Sequence, residues 1–116
     1  MSLNFFSCTS PIIYSSIDIA EFKRIYSDNK KIHIIDVRTL MEFYGPLGHI
    51  KNSINRPLSK INQTISDLKN AINTPIYVIC RSGSRSKHAT EILVENGIYA
   101  INIEGGIKAW NQKQAN

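Results

Sequence analysis

An α/β fold with a mostly parallel central sheet flanked by helices in three layers is what this sequence predicts, and three observations predict it. Residues 32–37, 75–80 and 98–103 are short runs, nearly continuous in apolar character and rich in β-branched side chains, as strands covered on both faces are. The segments between them carry apolar residues three and four apart, the spacing of helices laid against such a sheet. The 116 residues, 42% of them hydrophobic, suit one core and leave no room for a second.

In chain order, Ser16 is a candidate N-cap for a helix reaching about Ser27, with Ile19, Phe22 and Ile25 or Tyr26 on one face, Asp18 near its positive end and Asp28-Asn29 as its stop. The strand at 32–37 follows. Thr39 to Tyr44 fit one short helical turn closed by Gly45-Pro46, and Ser53-Ile54-Asn55 a brief strand before Pro57. Ile61, Ile65, Leu68 and Ile72 then repeat at helical spacing and read as core. The strand at 75–80 leads into Arg81-Ser82-Gly83-Ser84-Arg85, then a helix from Ser86 through Glu95 that Asn96-Gly97 can cap. A strand at 98–103, a turn at Gly105-Gly106 and a closing helix from Ile107 to Gln112, with Trp110 turned inward, complete the domain. Residues 1–14 form an N-terminal extension, 15–112 the domain and 113–116 a tail.

Cys8 and Cys80 make no disulfide framework, and no Cys/His group has zinc spacing, so a reducing, cytoplasmic setting without a structural zinc is expected. No apolar run approaches the ~18 residues of a membrane span, and the apolar residues near the start have no basic stretch before them, so neither a membrane partner nor a secretory leader is expected. The net charge is +5. Lys23, Arg24, Lys30 and Lys31 surround a helix end, where a solvated face accounts for them, whereas Arg81, Arg85 and Lys87 crowd one loop with no acid among them. Without interleaved aromatics that cluster does not suit nucleic acid; it suits a small anionic substrate.

Cys80 stands where the chemistry is expected, because parallel α/β sheets bind ligands beyond the carboxyl ends of their strands. A loop turning directly into a helix aims backbone N–H groups and the positive helix end at one point, which favours thiolate over thiol, and Arg81 and Arg85 add to that field. Gly83 permits the tight curvature, and Ser82, Ser84 and Ser86 offer hydroxyls to a thiolate, persulfide or oxyanion. A cysteine that only packs has no use for such neighbours.

These residues resemble a known family. Cys80-Arg81-Ser82-Gly83-Ser84-Arg85-Ser86, preceded by Tyr77-Val78-Ile79, is similar to the active-site loop of rhodanese-type sulfurtransferases. The resemblance extends to Ile35-Asp36-Val37-Arg38, Glu42-Phe43, Gly48-His49-Ile50 and Ile54-Asn55 upstream, and to Gly97, Gly105-Gly106-Ile107 and Trp110 downstream, covering about Ser15 to Gln112, nearly the whole chain, and matching a single-domain member. Lys51-Asn52-Ser53 departs from the Pro-Gly-Ala-like turn of many members. The resemblance implies a rhodanese-like three-layer fold and a persulfide mechanism that needs neither metal nor organic cofactor: Cys80 takes sulfur from thiosulfate or a persulfide and passes it to a thiol, to cyanide or to a sulfur-relay protein.

Two other readings compete. Cysteine-dependent phosphatases and arsenate reductases carry Arg as the sixth residue after the cysteine; here the sixth is Ser86 and Arg85 is the fifth, a loop better sized for sulfur than for phosphate. A noncatalytic interaction module would have lost the nucleophile, and Cys80 is present. Asp36 and Arg38 are expected to form a strand-end ion pair or a hydrogen-bonded cap rather than to shape the active-site floor, while His33, His49, His88 and Cys8 are assigned no chemistry.

Overall fold

The computed structural model describes residues 14–69 and 73–113. Five strands form one sheet: β1 (Ser15–Ile17), β2 (His33–Asp36), β3 (Ile54–Asn55), β4 (Ile76–Ile79) and β5 (Ala100–Ile103), in the spatial order β1-β5-β4-β2-β3. Every pairing is parallel, with Ile35 opposite Val78 and Ile54, Tyr77 opposite Ile101, and Ser16 opposite Asn102. Parallel neighbours need crossovers, and the helices supply them: α1 (Ile19–Asp28), α2 (Leu40–Phe43), α3 (Ile61–Leu68), α4 (Ser84–Glu95) and α5 (Gly106–Asn111), with a short 3-10 turn (Leu58–Lys60) before α3.

Alternation along the central strands divides the core into two layers. Ile35, Val37, Val78 and Cys80 point to the side of α3 and α4, where Ile61, Ala89 and Leu93 meet them. Ile34, Tyr77, Ile79, Ile101 and Ile103 point to the side of α1 and α5, against Phe22, Tyr26 and Ile107. All four residues of β4 are buried, so the strand that delivers Cys80 is gripped on both faces. Trp110 faces inward, edge-on to Tyr26 with ring centroids 5.3 Å apart.

The structure corrects three local expectations. Asp18, not Ser16, caps α1: its carboxylate accepts from Glu21 N at 2.8 Å, while Ser16 belongs to β1 and donates to Glu104 at 2.9 Å. The reason is β1 itself, which the sequence reading omitted: its ladder with β5 takes Ser16 out of reach of the helix start. Second, α4 begins at Ser84 rather than Ser86, which leaves only three residues, 81–83, between Cys80 and the helix. Third, the acid missing beside the loop cations comes from α2, where Glu42 meets Arg85.

The stripe that follows β3 is core as expected for Ile61, with Ile65 and Leu68 half-buried against it; Ile72 lies outside the described residues, as do Cys8 and most of the N-terminal extension. The departure at 51–53 forms a turn with Asn52 at φ 76°, a left-handed conformation that asparagine tolerates better than most residues. Among the described residues no helix is long and apolar enough to cross a membrane.

Candidate active site

Cys80 leaves the carboxyl end of β4 only 1% exposed. The chain must then reverse within three residues, and Gly83 makes this possible at φ 119°, where a side chain would be strained. That conformation aims the Gly83 N–H at Cys80 Sγ, 3.0 Å away. One turn into α4, Ser86 is fully buried with its Oγ 3.3 Å from the sulfur. The thiol donates to Ser86 Oγ while the Ser86 hydroxyl donates to Gly83 O at 3.1 Å. A hydroxyl rotates freely, so on ionisation Ser86 can turn its proton onto sulfur, giving the thiolate two donors at the positive end of a twelve-residue helix.

The outer side of the loop is clamped by α5. Ile107 N donates to Cys80 O at 2.8 Å and Lys108 N to Arg81 O at 3.0 Å, so the first amides of one helix satisfy the carbonyls of the loop that starts another. The approach depends on Gly106: a Cβ there would lie 2.5 Å from both the Cys80 and Arg81 carbonyl oxygens.

The loop side chains part company. Arg81 is exposed and, among the described residues, has no carboxylate within ion-pair distance. Arg85 makes a two-pronged contact with Glu42, 2.7 Å and 2.8 Å, tying the first turn of α4 to α2. These hydrogen bonds from Arg85 hold the Glu42 carboxyl at about 2, against burial and with help from the Thr39 backbone, and the same pairing raises Arg85 above its ordinary value. Ser82 and Ser84 are exposed; of the three loop serines Ser86 alone has its hydroxyl on the sulfur.

Asp36 and Arg38 form the expected strand-end pair, fully enclosed, with Arg38 Nη2 2.8 Å from Asp36 Oδ2. Arg38 also donates to Gly48 O at 2.7 Å, so the pair fixes the loop that runs below α2. His49 lies flat on Phe43 at 3.7 Å with Nδ1 against Phe43 O, while His33 and His88 are exposed. Sequence reasoning placed Glu42 in the resemblance but missed its pairing with Arg85. Its one local signal was Thr39-x-x-Glu42, a capping box that the structure contains, but nothing local announces a partner 43 residues away.

The site is thus a buried thiol at the end of a central parallel strand, wrapped by a three-residue loop and a helix start, at the edge where parallel α/β sheets bind ligands. The chain belongs to the rhodanese-like domain family, whose model matches residues 18–113. It is 30% identical over 97 residues to a sulfurtransferase of Allochromatium vinosum, an alignment covering 83% of this chain and 87% of that protein. It is 29% identical over 106 residues to the adenylyltransferase and sulfurtransferase MOCS3 of Oryza sativa subsp. japonica; there it covers 81% of this chain and spans only 23% of the relative's length. Among solved structures, a rhodanese-like domain protein of Staphylococcus aureus is similar at 33% identity and TM-score 0.75, over 88% of this chain and 96% of that one. Members of this family among its relatives thus carry the name sulfurtransferase, as the Allochromatium vinosum protein does.

Proposed function

We propose that this protein transfers sulfane sulfur through a persulfide on Cys80, taking it from thiosulfate or a persulfide donor and delivering it to a thiol or cyanide. One observation carries the reading: the buried Cys80 sulfur receives the Gly83 N–H at 3.0 Å and sits 3.3 Å from the Ser86 hydroxyl. The thiolate attacks the outer sulfur of thiosulfate, a new S–S bond forms, and the donor's S–S bond breaks with its electron pair leaving on sulfite. The acceptor's nucleophile then attacks the outer sulfur of the persulfide and Cys80 departs as thiolate, again under the Gly83 and Ser86 donors. No proton is gained or lost by the protein over the cycle, so no general base is needed. Residues 15–112 act as one catalytic domain, and a cytoplasmic setting, where the thiol stays reduced, suits it.

The occupation of Arg85 by Glu42 weighs against phosphatase chemistry, since that guanidinium is committed away from a bound oxyanion. Intact mass spectrometry after incubation with thiosulfate, without acceptor, should find one added sulfur, lost in Cys80→Ser. An adduct that survives Cys80→Ser, or none with any sulfane donor, overturns the reading. p-Nitrophenyl phosphate turnover dependent on Cys80 would transfer the site to phosphate chemistry.

A further inference from the structure

Four of the large apolar side chains that the described fold leaves in solvent lie on one segment, which the Glu42–Arg85 pair and the cleft shared by Leu47 and Arg81 set against the Cys80 loop. Leu40 is 58% exposed, Met41 86%, Tyr44 72% and Leu47 38%, all on α2 and the loop that follows it. Thiosulfate and cyanide gain nothing from such a ridge, which costs free energy while it faces water. The ridge is also rigid. Phe43 packs beneath it edge-on to Tyr44, Arg38 holds Gly48 O, and Asn111 on α5 donates to Leu47 O at 2.9 Å. A surface already ordered loses little entropy when it is covered.

A cleft opens beside Leu47 and another beside Leu40, and each holds one cation without an ion-pair partner among the described residues, Arg81 in the first and Lys60 in the second, where Arg56 is paired with Asp67. One, about 250 Å³, runs between Leu47, Pro46 and Arg81; Arg38 and Glu42 also line it, but each is paired elsewhere, so its available charge is that of Arg81. The other, about 290 Å³, has Leu40 at its rim and Arg56, Lys60 and Thr64 in its walls, and Arg56 Nε is buried there with no hydrogen-bond partner among the described residues. The geometry points to an occupant of one kind: an extended, acidic segment of an acceptor protein, laying apolar side chains on the ridge and carboxylates toward Arg81 and Lys60, with its acceptor thiol at the Cys80 loop. This rests on the sulfur-transfer reading and gives its acceptor a class. A second copy of this chain fits poorly, because two molecules of charge +5 repel.

The probes are two thiol peptides, Glu-Asp-Leu-Cys-Leu-Asp-Glu and its counterpart with lysine at every acidic position, plus fluorescein-labelled serine versions that bind without reacting. From the Cys80 persulfide, the acidic peptide should accept sulfur with a kcat/KM about tenfold above the lysine peptide, and Met41→Ser/Tyr44→Ser should remove about as much while leaving cyanide turnover within about twofold. Anisotropy of the labelled serine peptide on the unloaded protein should show the same order of binding, weakened by Lys60→Glu. Because that binding needs no sulfur, a failure of persulfide loading with intact binding strikes the function alone. Equal use of both peptides, equal losses for peptide and cyanide, or binding indifferent to Met41 and Tyr44 overturns the docking surface. So does dimerisation that depends on those two residues, or preference for a peptide of residues 1–13, which carries no charged side chain.

Discussion

Among the described residues Arg38 is the largest side chain enclosed completely by the fold, and it survives there because Asp36 accepts from its Nε and Nη2 while Gly48 O also accepts from Nη2. Taking one partner away strands the other in a medium that solvates charge poorly, so Arg38→Met should cost about 3–5 kcal/mol in urea unfolding at neutral pH. A loss under about 1 kcal/mol would show that water reaches Asp36. The Glu42–Arg85 pair behaves differently, being about a third exposed on both sides at 35% and 30%. Glu42 has its carboxyl lowered from 4.5 to about 2 by Arg85, so the stability it supplies is full above 4.5 and is lost as pH falls toward 2. Solvent screening limits the gain, and Glu42→Gln should cost about 1 kcal/mol at pH 7, with the gap from wild type closing between pH 4.5 and 2 in denaturation curves. A gap that stays constant over that range would assign the contact to packing instead of charge.

At the level of elements, the site is a meeting of two helix starts, α4 supplying donors to the sulfur and α5 supplying donors to the carbonyls of the same loop. Their separation is set by Gly106, where a methyl group would collide with two carbonyl oxygens at 2.5 Å on a backbone already at φ 62°. Gly106→Ala should therefore lower stability by about 2–3 kcal/mol in thermal unfolding and depress sulfur transfer further, because relief of the clash moves the Cys80 loop. The strands at 32–37, 75–80 and 98–103 were legible because burial on both faces selects an unbroken apolar run. So was the placement of Cys80 at a strand end before a tight turn, since a strand end followed within four residues by Gly and Ser is a local pattern. β1 was not, because Ser15-Ser16-Ile17 is an edge segment of three residues whose strand character comes from pairing with β5 rather than from its own composition. The pairing of Glu42 was hidden for the same reason: its cap motif is local but its role comes from Arg85.

For the whole molecule, the net charge of +5 gives a field that draws anions, and Arg81 concentrates it at the thiol loop. If that attraction governs capture of a dianion, kcat/KM for thiosulfate should fall about tenfold between 0.02 M and 0.5 M salt, and Arg81→Ala should flatten the dependence. An unchanged slope in Arg81→Ala would move the steering to charges farther off. The topology has a further consequence, in time rather than space. β1 is joined to β5, as the contact between Ser16 and Asn102, 86 positions apart, illustrates, and the Cys80 carbonyl waits for Ile107. A chain emerging from the ribosome holds its first strand unpaired until nearly all of the described domain has been made, and its cysteine loop stays unbraced for as long. Closure of so distant a pair is a slow step for a domain of this size. The nascent cysteine therefore meets the cell as an ordinary thiol, and its special environment arrives last, in one cooperative event with the completion of the fold.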